Sequence, residues 1–131
     1  MTLVNGSANN AIFFENDSWK TGALTHDVTN SSGTFTVLAA GRYAVHACVQ
    51  LSNNPITSRA GIQVKVNGTP KTGDEDNLAA SGGYPTVCVH DILNLAANDA
   101  LTVNFVQNSV GTIATTANEL GTYITIKKDD L

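Results

Sequence analysis

His46 and Cys48 stand two residues apart, and Cys88 and His90 repeat the spacing in reverse order. Both pairs sit in stretches whose apolar residues alternate, so each pair shares one face of a strand. A histidine can activate a thiol as a nucleophile, but only within hydrogen-bond reach and with a third group to orient it. Side chains two apart on a strand are about 6–7 Å apart, so packing or an interface is the favoured reading of each pair. Together the four residues form a ligand set that zinc accepts, provided the two strands pair with these faces together. His90 and Asp91 are neighbours on a strand and point to opposite faces, so they form no dyad. Asp74-Glu75-Asp76 resembles the start of a calcium loop, yet Leu78 occupies the third ligand position, and a solvated acidic segment is expected instead. There is no Gly-x-Ser-x-Gly elbow and no Walker loop. The chain is therefore expected to be non-enzymatic, with no catalytic residue, cofactor or metal assigned.

The elements that would position these residues are strands. Thr and Val are common, Lys and Glu scarce, and turn residues recur every ten or so positions. Phe35-Thr-Val-Leu38 is a short strand. In Arg42–Leu51, Tyr43, Val45, Ala47, Val49 and Leu51 share one face, and Ala44, His46, Cys48 and Gln50 share the other. Ile62, Val64 and Val66 alternate against Gln63 and Lys65, and Asn67-Gly68 follows, a pair suited to a type I′ turn. Residues 68–83 read as a long loop. Thr86–Leu95 is a strand. Leu93–Leu101 could wind as a short helix, but Asn94, Asn98 and Asp99 favour a turn. Leu101–Val106, a segment from Gly111 and Thr122–Ile126 complete a set of seven or eight short strands, the pattern of a β-sandwich or barrel. Residues 1–10 read as a flexible arm, 11–127 as the domain and 128–131 as a polar tail.

Composition bounds the function classes. The chain has 131 residues, of which 42 % are hydrophobic and only 14 % charged, with a net charge of −4. This length is enough for one domain with a core of its own. Thr, Ser and Asn make up roughly three residues in ten by count, so the polar surface is largely uncharged. An acidic chain without clustered Lys and Arg argues against a nucleic-acid binder. No apolar run has the length of a membrane helix. The first residues, Met1-Thr-Leu-Val-Asn-Gly-Ser7, show no basic flank and no apolar core of a leader, so no signal peptide is expected.

Four words in order resemble the C1q/tumour-necrosis-factor family of jelly rolls. Phe35-Thr-Val-Leu-Ala-Ala-Gly-Arg-Tyr43 is similar to that family's "fTvp-x-x-G-x-Y", and Val64-Lys-Val-Asn-Gly68 to its strand ending in Asn-Gly. Leu93-Asn-Leu-Ala-Ala-Asn-Asp-Ala-Leu-Thr-Val103 resembles "L-x-L-x-x-G-D-x-V-x-V", and Asn118–Ile126 the closing strand "s-x-f-x-I". The likeness spans roughly residues 11–127. It departs at Asn98, where the family usually has Gly, and in aromatic content, which is only 6 %. That thinness brings the chain nearer to the C1q-like jelly rolls of bacteria and bacteriophages than to secreted animal modules.

The resemblance implies an all-β, two-sheet antiparallel jelly-roll sandwich that assembles as a homotrimer. It implies that segments 42–51, 99–106 and 120–127 form the sheet that packs on the threefold axis. The expected trimer interface is then Ala44, His46, Cys48, Gln50, Thr102, Asn104, Val106, Tyr123 and Thr125, a set with no carboxylate and no Lys. The same layout puts 42–51 and 86–95 in different sheets, which implies no four-residue zinc site and no Cys48–Cys88 bridge, since bridged Cα atoms lie within about 7 Å. Among phage proteins such domains resemble capsid decoration (cement) proteins or fibre heads. The expected function is a homotrimer that binds the major capsid protein on the virion surface through its arm, with Thr2, Leu3, Val4, Asn5, Asn9 and Asn10 as the capsid-binding residues. The alternative is a receptor- or carbohydrate-binding head of a tail fibre, using loops such as 68–83. Neither reading involves nucleic acid or a membrane.

Overall fold

The computed structural model describes residues 2–3, 10–12, 24–26, 33–51, 58–78, 85–107, 113–114 and 121–129. Among them the chain forms eleven strands: β1 (Thr2–Leu3), β2 (Asn10–Ala11), β3 (Leu24–His26), β4 (Thr34–Val37), β5 (Gly41–Gln50), β6 (Ser58–Val66), β7 (Thr69–Leu78), β8 (Thr86–Leu95), β9 (Ala100–Gln107), β10 (Ile113–Ala114) and β11 (Tyr123–Asp129). One sheet runs β11-β5-β8 and the other β3-β4-β9-β6-β7, with β2 also paired to β9; β1 and β10 form a separate pair. All the pairings are antiparallel. Strand order and chain order together give the expected jelly roll.

The core forms where the inward rows of the two sheets meet. Tyr43, Val45, Ala47, Val49, Val87, Val89 and Leu95 come from one sheet, and Phe35, Val37, Ile62, Val64, Leu101, Val103 and Phe105 from the other; all are buried. Ile124 and Ile126 pack against this cluster from β11. These are the faces that alternation assigns to the interior. Burying each large side chain is worth about 1.5–3 kcal/mol. The Tyr43 ring lies in the core while its hydroxyl donates to the Ala39 carbonyl at 2.5 Å, which pins the approach to β5.

One end of the sandwich is tied by a polar knot built from two of the motif words. Asn67 and Gly68 have φ of 50° and 79°, both positive as a type I′ turn requires. Asn67 Nδ2 donates to Asp99 Oδ1 at 2.7 Å, the Ala96 amide donates to Asp99 Oδ2 at 2.8 Å, and the Ala100 amide donates to Asn67 Oδ1 at 2.9 Å. The Asn98 amide donates to the Val37 carbonyl, and the Val37 amide to the Asp99 carbonyl. Three connections are thereby held to one another. Asn98 has φ of 73°, which explains the departure from the family's Gly: Asn is the side chain that best tolerates the left-handed region.

Two expectations are corrected, one about the segment 68–83 and one about the segment 99–106. The segment 68–83 is no loop over 69–78: it is β7, paired along β6 with a bulge at Val64/Lys65. It lacks apolar alternation because it is an edge strand, where Pro70 and charged residues are tolerated and discourage pairing with other chains. Within and next to residues 1–10, Thr2–Leu3 pairs with β10 and Asn10–Ala11 with β9. At the other end, β11 pairs with β5 as far as Asp129. Segment 99–106 belongs to the other sheet, between β4 and β6. Period-two alternation reports which side of a strand faces inward and is silent about which layer the strand joins.

The Ala96 amide, and after it the Asn67 side chain, hold the Asp99 carboxyl below its ordinary value. A carboxyl held low stabilises the fold above its unfolded value, and that stabilisation is lost as pH falls through the lower folded value. Wild-type stability should therefore decline below about pH 4. Asp99→Asn should be less stable at neutral pH and should show a shallower acid decline in denaturant titrations. An unchanged acid profile in the variant would contradict this role for Asp99. Asn98→Gly should be neutral or stabilising, and Asn98→Val should cost about 1–2 kcal/mol.

Candidate functional site

The register between β5 and β8 is continuous over ten pairs, from Gly41↔Leu95 to Gln50↔Thr86. It places His46 opposite His90 and Cys48 opposite Cys88, and β11 adds Thr125 beside His46 and Tyr123 beside Cys48. Because Tyr43, Val45, Ala47 and Val49 face the core, the intervening residues of β5 face outward. The outward face therefore carries cross-strand rows. Lys127, Ala44 and Ile92 form one, then Thr125, His46 and His90, then Tyr123, Cys48 and Cys88.

Cys48 and Cys88 are joined by a disulfide of 2.04 Å, with Cα atoms 4.1 Å apart. This corrects the expectation of two free thiols in different sheets: β5 and β8 are direct neighbours in one sheet. The bridge does not stand alone. His46 Nε2 lies 3.4 Å from Cys48 Sγ, and the Tyr123 hydroxyl reaches the same sulfur at 3.4 Å. The His46 ring meets Tyr123 edge-on with centroids 5.4 Å apart, and His90 at 5.8 Å. Cys48 is buried beneath this group, His46 and Cys88 are half-buried, and His90 is exposed. At one end of the row Gln50 folds over Gly121, where a Cβ would collide with the Gln50 side chain. At the other end Arg42 and Asp129 lie 3.8 Å apart. Between these ends no carboxylate occurs among the described outward residues.

Of the nine residues expected to share an interface, the structure brings together Ala44, His46, Cys48, Gln50, Tyr123 and Thr125. Thr102, Asn104 and Val106 lie on β9 in the opposite sheet, where Asn104 is buried and receives a hydrogen bond from the Thr102 hydroxyl. Sequence reasoning missed the β8 half of the face, Cys88, His90 and Ile92. The mirrored His-x-Cys and Cys-x-His spacing is the signal that points to it, since antiparallel partners superpose such words with like opposite like. Ile92 is 49 % exposed, an apolar side chain left at the surface of a sheet otherwise lined with small and polar groups. Asp91, on the other side of β8, takes hydrogen bonds from Thr72 of β7 and from the Ile92 amide, which hold its carboxyl low and fasten the open edge of the sandwich. Of the residues expected to bind a capsid, Thr2, Leu3 and Asn10 lie in paired strands, while Val4, Asn5 and Asn9 fall outside the described residues.

No protein-family model and no curated protein sequence matches the chain. Solved structures do. The crystal structure of murine APRIL at pH 5.0 superposes with a TM-score of 0.72 at 14 % identity, covering 97 % of each chain. The structure of the same protein at pH 8.0 gives 0.70 at 14 % identity, covering 97 % of this chain and 95 % of that one. APRIL is a tumour-necrosis-factor-family jelly roll. The fold is thus a tumour-necrosis-factor-like jelly roll.

The bridge closes a loop with a sequence separation of 40. By chain entropy such a cross-link stabilises by about 4 kcal/mol. Reduction, or the Cys48→Ser/Cys88→Ser pair, should lower the unfolding free energy by an amount approaching that figure, read as a fall in the urea midpoint. No change in midpoint would show that the bridge does not constrain the chain.

Proposed function

We propose that the chain is a non-enzymatic structural module that assembles as a homotrimer through the outward face of the β11-β5-β8 sheet. The observation that carries this reading is the face itself: aromatic, small and uncharged polar side chains in register around the bridge, with an exposed isoleucine and charges only towards one end. Interface cores are depleted in charge and enriched in aromatic residues. A head-to-tail contact of this kind closes into a ring when the rotation fits. The tumour-necrosis-factor-like fold supports the same assembly. The interface set becomes Ala44, His46, Cys48, Gln50, Cys88, His90, Ile92, Tyr123 and Thr125.

The trimer's role, in this proposal, is decoration of the outer surface of a viral capsid, with the chain made in the host cytoplasm and carried on the virion. The support is the resemblance of the motif words and a surface rich in uncharged hydrogen-bonding groups. Three weak contacts to neighbouring capsid subunits would act together through effective concentration. The carbohydrate-binding alternative loses part of its platform, since 69–78 is an edge strand and no loop.

Sedimentation equilibrium should return three times the chain mass of 13.7 kDa. The pair Ile92→Asp/Thr125→Asp should return the single-chain mass with its β circular dichroism intact. A wild-type chain that stays at 13.7 kDa at high concentration would remove the trimer. Particles from producing cells should carry many copies by quantitative mass spectrometry. Val4→Lys/Asn5→Lys should remove those copies while leaving the trimer assembled. Particles devoid of the wild-type chain would remove the capsid role.

A further inference from the structure

The four residues brought into register by β5 and β8 do more than line a surface. The ligating atoms of His46, Cys48 and Cys88 all lie within 4.8 Å of one another. The 3.4 Å between His46 Nε2 and Cys48 Sγ is close to the roughly 3.5 Å that separates a nitrogen and a sulfur on one tetrahedral zinc, given metal bonds of about 2.0–2.1 and 2.3 Å. His90 faces His46 across the strands with ring centroids 5.8 Å apart, outside that group of three, and is exposed, so a turn of its side chain would bring it to the fourth corner. Two thiolates and two neutral imidazoles balance a divalent charge, which suits a patch with no carboxylate. The Tyr123 hydroxyl, 3.4 Å from Cys48 Sγ, is placed to donate to a bound thiolate as an outer-shell partner.

We propose that the outward face of the β11-β5-β8 sheet is a redox-gated metal site: with the Cys48–Cys88 bridge reduced, both sulfurs, His46 and His90 hold one zinc-class ion. The bridge shuts the site, because both sulfurs are spent on each other. Opening it takes two electrons and two protons, supplied by two molecules of a thiol reductant that leave as their own disulfide. Zinc then displaces the two thiol protons and binds both sulfurs as thiolates. The bridge and the ion are alternative cross-links between the same two strands. All four ligands come from a single chain, and because they also line the proposed trimer face, the site is open to reductant and metal in the dissociated chain.

The full chain is reduced with a trialkylphosphine, which takes oxygen from water to become the phosphine oxide, and is titrated with zinc and separately with cobalt(II). One zinc per reduced chain is expected and none per oxidised chain. Cobalt should show thiolate charge-transfer absorption and the intense visible bands of a tetrahedral site. Zinc should also slow alkylation of both thiols. Cys48→Ser/Cys88→Ser should bind none, and His46→Ala should weaken binding by more than about 100-fold, beyond the loss of an outer-shell partner. The proposal is overturned if the reduced wild type takes up no zinc, if the serine pair or the oxidised chain binds as well as the reduced wild type, or if the reduced chain is unfolded with and without zinc.

Discussion

A strand pair with side chains alternating at period two has only two ways to face a neighbouring layer, and a slip of one residue exchanges them. The ten-pair register of β5 against β8 fixes that choice here. It sends Tyr43, Val45, Ala47 and Val49 into the core with Val87, Val89 and Leu95. By the same stroke it stacks Ala44, His46 and Cys48 against Ile92, His90 and Cys88 on the outside. The apolar row supplies the free energy, and the outward row inherits its order from it. Slipped by one residue, the sheet would bury histidines, break the bridge and expose valines.

Much of this was legible in the residues, and the reason is particular to each element. Core-facing positions such as Val45 and Phe105 showed themselves because half-buried strands must alternate. The turn at Asn67-Gly68 showed itself because few dipeptides accept positive φ twice. β7 was hidden because an edge strand needs no apolar row, and Thr69, Pro70, Lys71 and Asp74 read as loop chemistry. The layer to which β9 belongs was hidden because Leu101, Val103 and Phe105 would be equally well buried from either sheet. That single ambiguity put Thr102, Asn104 and Val106 on the wrong face, separated the cysteines and left β8 out of the candidate site.

The knot of Asn67, Ala96 and Asp99 explains why two distant motif words occur together. One supplies the turn between β6 and β7, the other the turn between β8 and β9, and neither side chain satisfies the other's groups unless both turns are formed. Asp99 accepts from both words, so this end of the sandwich closes cooperatively. The β8–β9 turn also carries the chain from one sheet to the other, which is the step that alternation could not reveal.

The most direct test of the register is nuclear magnetic resonance on the folded chain. In antiparallel sheets the closely spaced pairs bring opposed α-protons together, and the 4.1 Å between the Cys48 and Cys88 Cα atoms marks this face as carrying such pairs. Strong cross-strand contacts between α-protons are therefore expected for Ala44–Ile92, His46–His90 and Cys48–Cys88. Contacts displaced by one residue along β8, or their absence, would contradict the account.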